Sequence, residues 1–396
     1  MTGFEEWAAA AVEVFGEVKP LADRLPQDHF EVAVADHECL GTAAGRLLDS
    51  VAREVGLRQT VHVRAAPQPA GSSFGLAVER RISTLLADAG PLDDWVRDAG
   101  EAPIVRAAAN ARDRAPRLVR VETRDGLTLD AFTAGDRARP AVVLVPPCGM
   151  PVELSLRWLR ALGEEHFVVT WQTRGLFSAH GPEAGMASGV ADQADDLLAV
   201  MDALDLPACH VMGLCGGAVI VVEAAHRHPG RLGSISLWHG DYDFGAGSTK
   251  TDHQRDVQAL MEMGADTLAK AAAYQKLMHR PAALAKIPER LAPLVLYPYA
   301  SPVLFHHYCR LNLAIMSFDI TDLLGRIRHP TLVVTSRTDT TAHPEGSHRV
   351  ARELARARLV EEPSGDHLSV FDTSSRLVQL AADFVAAQYL STPGRR

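Results

Sequence analysis

The segment Gly213-Leu214-Cys215-Gly216-Gly217 constrains the fold of this chain more than any other. It follows a short apolar run and precedes a helical pattern, so it predicts a sharp turn from a buried strand into a helix. Glycines on both sides of Cys215 let the backbone pass through a cramped turn and bring backbone N–H groups near the reacting atom. Cys215 is therefore the candidate nucleophile, and its thiol predicts acyl transfer through an enzyme-bound thioester.

The wider pattern predicts an α/β protein of two domains. Residues 1–115 contain mainly amphipathic helical stretches and form an N-terminal domain of unknown role. In residues 116–396, strand patterns alternate with helix patterns, which predicts a mostly parallel sheet covered by helices on both faces. The alternation lapses at about residues 241–328, where we expect a helical lid inserted into the sheet domain.

Composition and charge exclude several classes of function. Lys and Arg total 40 against 49 Asp and Glu, and the net charge of −9 argues against a general nucleic-acid binder. The first residues lack the features of a signal peptide, and no later segment is long and apolar enough to span a membrane, so we expect a cytoplasmic protein. The five cysteines and 17 histidines show no metal-ligand spacing, so we expect no metal and no cofactor.

Two further residues complete a candidate catalytic triad. Asp339 follows the apolar run at residues 331–335, and His367 lies in a loop near the C-terminus. His367 would take the thiol proton and return a proton to the leaving group, while Asp339 would fix its tautomer. Asp241 and Asp243 follow another predicted strand and are alternatives for the acid.

Backbone N–H groups near Cys215 would form the oxyanion hole. One donor would be Gly216, and the other would come from the loop after an earlier strand, at Gly149 or Met150. Cys148 lies in the same loop, where it either shapes the oxyanion hole or packs beneath it.

The chain resembles the α/β-hydrolase fold from about residue 117 to residue 390. Three segments also resemble the cysteine-dependent aminoacyltransferases of nonribosomal peptide biosynthesis, of the syringomycin type: Pro146-Pro147-Cys148-Gly149-Met150-Pro151, Trp171-Gln172-Thr173-Arg174-Gly175-Leu176-Phe177 and Gly213-Leu214-Cys215-Gly216-Gly217-Ala218. This resemblance implies that an aminoacyl group moves between the phosphopantetheine thiols of a donor and an acceptor carrier protein. Those carrier proteins would be the partners, and Asp241 or Asp243 would pair with the substrate ammonium.

Two other functions fit the same residues. A cysteine thioesterase or ester hydrolase would use the same triad and differ by releasing free acid. A non-catalytic binding protein could retain the fold without an activated cysteine.

Overall fold

The computed structural model describes residues 3–33, 37–65, 71–87, 89, 92–177, 186–285, 287–363 and 365–390. The chain divides into two compact units. The first comprises Met1–Ala115 and Ala272–Pro302, and the second comprises Pro116–Ala271 and Val303–Arg396.

The N-terminal part of the first unit is mainly helical. Its elements are α1 (Phe4–Ala22), β1 (His29–Ala33), α2 (His37–Val55), β2 (Thr60–Arg64), α3 (Ser73–Ala87), α4 (Leu92–Ala99) and α5 (Ala102–Asp113). The two strands pair in parallel. α4 and α5 are separate helices, because the chain passes through a left-handed conformation at Gly100, where φ is +58°.

From Pro116 onward, helices and strands alternate over most of the chain. In order they are β3 (Arg117–Glu122), β4 (Thr128–Ala134), β5 (Ala141–Val145), α6 (Leu156–Gly163), β6 (Phe167–Trp171), α7 (Val190–Ala203), β7 (Cys209–Leu214), α8 (Gly217–Arg227), β8 (Leu232–Trp238), α9 (Asp252–Asp266), α10 (Leu268–Met278), α11 (Ala292–Leu296), α12 (Pro302–Met316), α13 (Thr321–Leu324), β9 (Thr331–Ser336), α14 (Pro344–Glu353), β10 (Ala357–Glu362) and α15 (Ser375–Leu390).

Eight of the described strands form one sheet in the order β10-β9-β8-β7-β5-β6-β4-β3. The first six run parallel, and β4 and β3 join antiparallel at one edge. This confirms the predicted α/β-hydrolase fold. Because β7 lies inside the sheet between β5 and β8, its carboxyl end, where Cys215 follows, is flanked by the loops after both neighbours.

The insertion expected at about residues 241–328 is divided between the two units. α11 packs against α1 and α3 and so belongs to the first unit. Its apolar residues, including Leu294 and Leu296, are buried, which gives this segment its place in that core. α12 belongs to the second unit from Val303 onward. Its Tyr308 and Asn312 pack against Gly149, and its Ile315 lies close to Gly216.

Asp196 lies on α7, and although a charged residue of a surface helix is usually solvated, the structure buries it. The carboxylate of Asp196 is 1% exposed and accepts two hydrogen bonds of 2.7 Å from the guanidinium of Arg174. Arg174 also bonds Asp125 at 2.9 Å. The neighbouring Asp195 instead pairs with Arg227 at the surface. This ion network anchors the loop after β6.

Candidate active site

Cys215 lies at the tip of a strained turn between β7 and α8. Its φ is +52°, a conformation that costs free energy for a residue other than glycine. The Cys215 N–H donates to the carbonyl of Trp238 at 2.9 Å, which ties the turn to the end of β8. Its side chain is partly exposed, whereas those of Cys148, Cys209 and Cys309 are buried.

Neighbouring backbone explains why glycines flank this cysteine. A Cβ on Gly213 would lie 2.7 Å from backbone atoms of Gly217 and Ala218, and one on Gly217 would lie 2.6 Å from the carbonyl oxygens of Val145 and Pro146. Such contacts are too close for any side chain. The turn therefore needs glycine at both positions.

The structure brings Asp339 and His367 together. His367 Nδ1 lies 3.1 Å from Asp339 Oδ2, and both side chains are buried. The other carboxylate oxygen of Asp339 accepts hydrogen bonds from the N–H groups of Thr341 and Ala342, at 2.8 and 2.9 Å. Burial opposes ionisation of Asp339, but its hydrogen bond and attraction to His367 outweigh burial and lower its pKa. The carboxylate is thus held ionised against one nitrogen of the imidazole.

His367 also interacts with Cys215. Burial disfavours its charged form, but the charge of Cys215, the hydrogen bonds that the imidazolium donates to Asp339 and Cys215, and the charge of Asp339 raise the pKa of His367 well above its ordinary value. Because Nδ1 faces Asp339, Nε2 is the nitrogen left for the sulfur. These three side chains can form a thiolate–imidazolium pair oriented by a carboxylate.

Of the three predicted oxyanion donors, Gly216 lies next to Cys215, whereas the N–H groups of Gly149 and Met150 already have acceptors. Gly216 lies at the start of α8, next to Cys215. The Gly149 N–H instead donates to Thr173 Oγ1 at 3.2 Å, and the Met150 N–H donates to Pro147 O at 3.1 Å. The Gly149 N–H is therefore engaged by the loop after β6, and the Met150 N–H is engaged within the loop after β5.

Cys148 is the loop residue that lies nearest Gly216. A Cβ on Gly216 would lie 3.0 Å from Cys148 Cβ and 3.6 Å from Cys148 N. The thiol of Cys148 is buried and donates to Gln193 Oε1 at 3.2 Å, and burial, with the charge of Cys215, raises its pKa. Cys148 thus keeps its proton, and its Cβ and backbone nitrogen both lie close to Gly216.

Asp243 is a structural residue of its loop. Its carboxylate accepts hydrogen bonds from Gly245 N, Ser248 Oγ and Lys250 Nζ, at 2.8, 2.6 and 3.0 Å. Because these partners already occupy the carboxylate, Asp243 is not available to bind the substrate ammonium that the sequence analysis expected it to pair with.

Asp241, unlike Asp243, lies within range of the charge of His367. It accepts a hydrogen bond of 2.5 Å from Gln254 Nε2. Burial raises the pKa of Asp241, although the charge of His367 acts in the opposite direction. Asp339, not Asp241, makes the hydrogen bond to His367.

Two residues after β8 were missed by sequence reasoning. His239 lies with its ring centroid 5.8 Å from that of His367, and its Nε2 lies 2.9 Å from Ser336 Oγ. Burial and the charge of His367 lower the pKa of His239 to about 4, so it is neutral. Tyr242 is also buried, and the charge of Cys215 acts on it. Their position directly after the strand adjacent to β7 is the signal that could have found them.

Comparison with curated proteins identifies relatives that cover the sheet domain. The chain is 29% identical over 242 residues to the putative carbamate hydrolase RutD of Agrobacterium fabrum, which spans 59% of this chain and 87% of that protein. It is 30% identical over 217 residues to the putative carbamate hydrolase RutD of Rhizobium rhizogenes, which spans 53% and 78%. The chain belongs to the α/β-hydrolase family of these RutD proteins. No family model matches the chain.

Solved structures with the same fold agree with this placement in the α/β-hydrolases. A hydrolase from Pseudomonas aeruginosa PA01 aligns with a TM-score of 0.52 at 22% identity, over 68% of this chain and 98% of its own. The enol-lactonase from Burkholderia xenovorans LB400 aligns with the same TM-score and identity, over 68% and 100%. At this identity the likeness shows the fold alone.

The expected acyl transfer between carrier proteins is contradicted by these comparisons. The curated relatives are named putative carbamate hydrolases. Resemblance to aminoacyltransferases finds no support among them. The protein is a hydrolase of the α/β-hydrolase fold, and the expected carrier-protein partners depend on the transfer reaction that is contradicted.

Neither a membrane span nor a metal cluster is found where the structure describes the chain. None of the helices in those residues is both long and apolar enough to cross a bilayer. Over the same residues, no group of three or more His, Cys, Asp or Glu side chains is arranged to hold a metal ion.

Proposed function

We propose that the protein is a cysteine-dependent hydrolase that cleaves acyl thioesters or esters through an acyl–Cys215 intermediate. The observation that carries the proposal is the strained turn that presents Cys215 beside the hydrogen-bonded pair of His367 and Asp339. A partly exposed thiol next to a buried imidazole and carboxylate is the arrangement of nucleophile, base and orienting acid.

In the first half-reaction, Cys215 Sγ attacks the carbonyl carbon of the substrate. The resulting tetrahedral intermediate collapses when the bond to the leaving group breaks, and His367 Nε2 gives its proton to the departing thiolate or alkoxide. Asp339 holds the imidazole by Nδ1 throughout and stabilises its charged form. The product of this step is a thioester on Cys215.

In the second half-reaction, water replaces the leaving group. His367 Nε2 takes a proton from water, and the hydroxide oxygen attacks the acyl–Cys215 carbonyl. The C–S bond then breaks, the carboxylic acid leaves, and the thiolate–imidazolium pair is restored. The scheme uses only side chains of this protein and water.

Backbone N–H groups of Gly216 and Cys148 are the proposed donors to the oxyanion. Gly216 is the N-cap residue of α8, where the partial positive charge of the helix dipole favours an anion. Cys148 lies against Gly216, whereas the N–H groups of Gly149 and Met150 have other acceptors. This pair therefore replaces the sequence-based assignment of Gly149 or Met150.

The chemistry of the thiol favours thioester and ester substrates. An acyl group on Cys215 is itself a thioester, so its formation from a thioester substrate exchanges bonds of similar free energy. Hydrolysis of the intermediate then draws the reaction forward. Carbamates, which the names of the relatives suggest, are the third substrate class for comparison.

The test uses liquid chromatography and mass spectrometry to measure butanoic acid released from butanoyl-pantetheine and p-nitrophenyl butanoate, and the amine left after an N-alkyl carbamate is hydrolysed and loses carbon dioxide. Wild type is expected to hydrolyse the thioester or the ester, and Cys215→Ala to lose about 10³-fold or more in kcat. Cys209→Ala, the same change six residues earlier in β7, is the matched control and should retain activity. Activity retained by Cys215→Ala, or no acid from the thioester and the ester, would overturn the proposal.

A further inference from the structure

The hydroxyl of Tyr242 is buried without a hydrogen-bond partner. Tyr242 is 3% exposed, and its Oη finds no donor or acceptor within the part of the chain that the structure describes. Buried tyrosine hydroxyls usually have a partner, because the loss of water is otherwise not compensated. An unpartnered hydroxyl beside a reaction centre therefore points to a partner that arrives with the substrate.

The sheet places the loop that carries Tyr242 next to the turn that carries Cys215. β7 and β8 are adjacent, with Leu214 opposite Trp238, and the Cys215 N–H bonds the Trp238 carbonyl. Tyr242 follows four residues later. Burial raises the pKa of Tyr242, and the charge of Cys215 raises it further, so the phenol keeps its proton and can donate it in a hydrogen bond.

Packing holds the ring of Tyr242 in place. It folds back over Gly240, where a Cβ would lie 2.2 Å from Tyr242 Cζ and 2.4 Å from Oη. The ring centroid of Phe244 lies 6.3 Å away, and a Cβ on Gly346 of α14 would lie 3.3 Å from Tyr242 Cδ2. This position of the phenol thus requires glycine at residue 240. Phe244 in the same loop and Gly346 on α14 restrain the ring further.

The sheet order separates Tyr242 from the loop that supplies Cys148. β5 and β8 lie on opposite sides of β7, so the loop with Cys148 and the loop with Tyr242 flank Cys215 from opposite sides. The reacting carbonyl oxygen faces the N–H groups of Gly216 and Cys148 in the proposed mechanism. A donor on the β8 side accordingly meets a different oxygen of the substrate.

We propose that the Tyr242 hydroxyl donates a hydrogen bond to a hydroxyl or oxo oxygen on the acyl chain, which makes the enzyme selective for oxygenated acyl groups. This proposal rests on the proposed hydrolase function. It assigns Tyr242 to specificity and leaves the bond-breaking steps to Cys215 and His367.

The first test is the thermal stability of the free protein. Tyr242→Phe removes only the hydroxyl, and an unpartnered buried hydroxyl contributes nothing favourable to the fold. Its melting temperature should equal or exceed that of wild type. A fall of about 2 °C or more would show that the hydroxyl has a structural partner and would overturn the proposal.

The second test compares butanoyl-pantetheine with its 2-, 3- and 4-hydroxybutanoyl counterparts, so that the leaving group is constant. Wild type should prefer at least one hydroxyacyl substrate by about tenfold in kcat/KM, and Tyr242→Phe should lose that preference while keeping its rate on butanoyl-pantetheine. Gly240→Ala, which displaces the same ring, should lose it too. Tyr274→Phe, the same change in the other unit, should retain it. Equal effects of Tyr242→Phe on all four substrates would overturn the proposal.

A binding measurement separates this proposal from the proposed function. Butanamide and the three hydroxybutanamides are tested for protection of Cys215 against alkylation by iodoacetamide, which needs no turnover. A hydroxybutanamide should protect wild type at about tenfold lower concentration than butanamide, and Tyr242→Phe should abolish the difference. If no substrate is hydrolysed but this difference appears, the hydrolase proposal fails and the role of Tyr242 stands. If protection is the same for all four amides, the role of Tyr242 fails.

Discussion

At the scale of single residues, the charge on His367 is set by its two neighbours. Cys215 and Asp339 each favour the protonated imidazole by charge and by a hydrogen bond, while burial opposes it. Together these two neighbours raise the pKa of His367 well above its ordinary value. The two favourable neighbours can be removed separately, which makes their contributions measurable.

Replacement of Cys215 by alanine should lower the pKa of His367. The variant loses the negative sulfur, the strongest of the influences that raise the pKa, while Asp339 remains to oppose burial. Nuclear magnetic resonance of the imidazole nitrogens over pH 5–10 measures this pKa in both proteins. An unchanged titration would show that the sulfur does not interact with His367.

The same raised pKa predicts how stability depends on pH. A histidine that binds its proton more tightly in the folded state stabilises the fold fully below its unfolded pKa of about 6.5, and this contribution is lost as the pH rises through the folded value. Denaturant unfolding should therefore show wild type losing more stability than His367→Gln across that alkaline interval. Parallel curves for the two proteins would contradict the raised pKa.

Asp339→Asn should lower kcat by about 10²–10⁴-fold, because an amide cannot stabilise the imidazolium and favours the wrong tautomer. The control is Asp243→Asn, which disturbs the bonds to Ser248 and Lys250 but lies outside the catalytic trio. It should lower the melting temperature and keep kcat. Steady-state kinetics at saturating substrate measures kcat for both variants. Full activity of Asp339→Asn would show that another residue is the acid of the triad.

At the scale of elements, the turn between β7 and α8 depends on close backbone contacts. A Cβ on Gly217 would lie 2.6 Å from two carbonyl oxygens that cannot move without shifting β5. Gly217→Ala should therefore destabilise the fold by about 1–3 kcal/mol and reduce activity. Gly230→Ala, where no atom lies within 4 Å of the new Cβ, should change stability by less than about 0.5 kcal/mol. Equal unfolding free energies for the two variants would contradict the packing of the turn.

The loop after β6 is held by the buried pair of Arg174 and Asp196. Asp196→Ala leaves a buried guanidinium without its bidentate partner and should cost about 3–5 kcal/mol of unfolding free energy. Asp195→Ala removes the adjacent carboxylate, which pairs with Arg227 at the surface, and should cost less than about 1 kcal/mol. Denaturant titration of both variants measures the difference, and similar losses would show that the buried pair does not anchor the loop.

At the scale of the whole molecule, the sequence predicted the sheet domain well, because strand and helix periodicity and the glycines around Cys215 are local signals. The chain order of Cys215, Asp339 and His367 could also be read, since each follows a predicted strand. The contacts that set other roles are not local. Burial of Asp196 depends on Arg174, 22 residues away, and engagement of the Gly149 N–H depends on Thr173 after another strand.

The division of the insertion could not be predicted for the same reason. The pattern of α11 is short and apolar, and it does not reveal that its partners are α3 and α1, which end 205 and 270 residues before it begins. The triad residues also could not distinguish transfer from hydrolysis, because the same three side chains serve both reactions. Comparison with the relatives supplied that distinction.

Intact-protein mass spectrometry of a rapidly quenched reaction tests the central claim most directly. Wild type mixed with butanoyl-pantetheine should gain the mass of one butanoyl group on Cys215, and the adduct should decay to free butanoic acid in buffer that contains no acceptor thiol. Cys215→Ala should gain no mass and release no acid. An adduct on another residue, or acid released by Cys215→Ala at the wild-type rate, would contradict hydrolysis through acyl–Cys215.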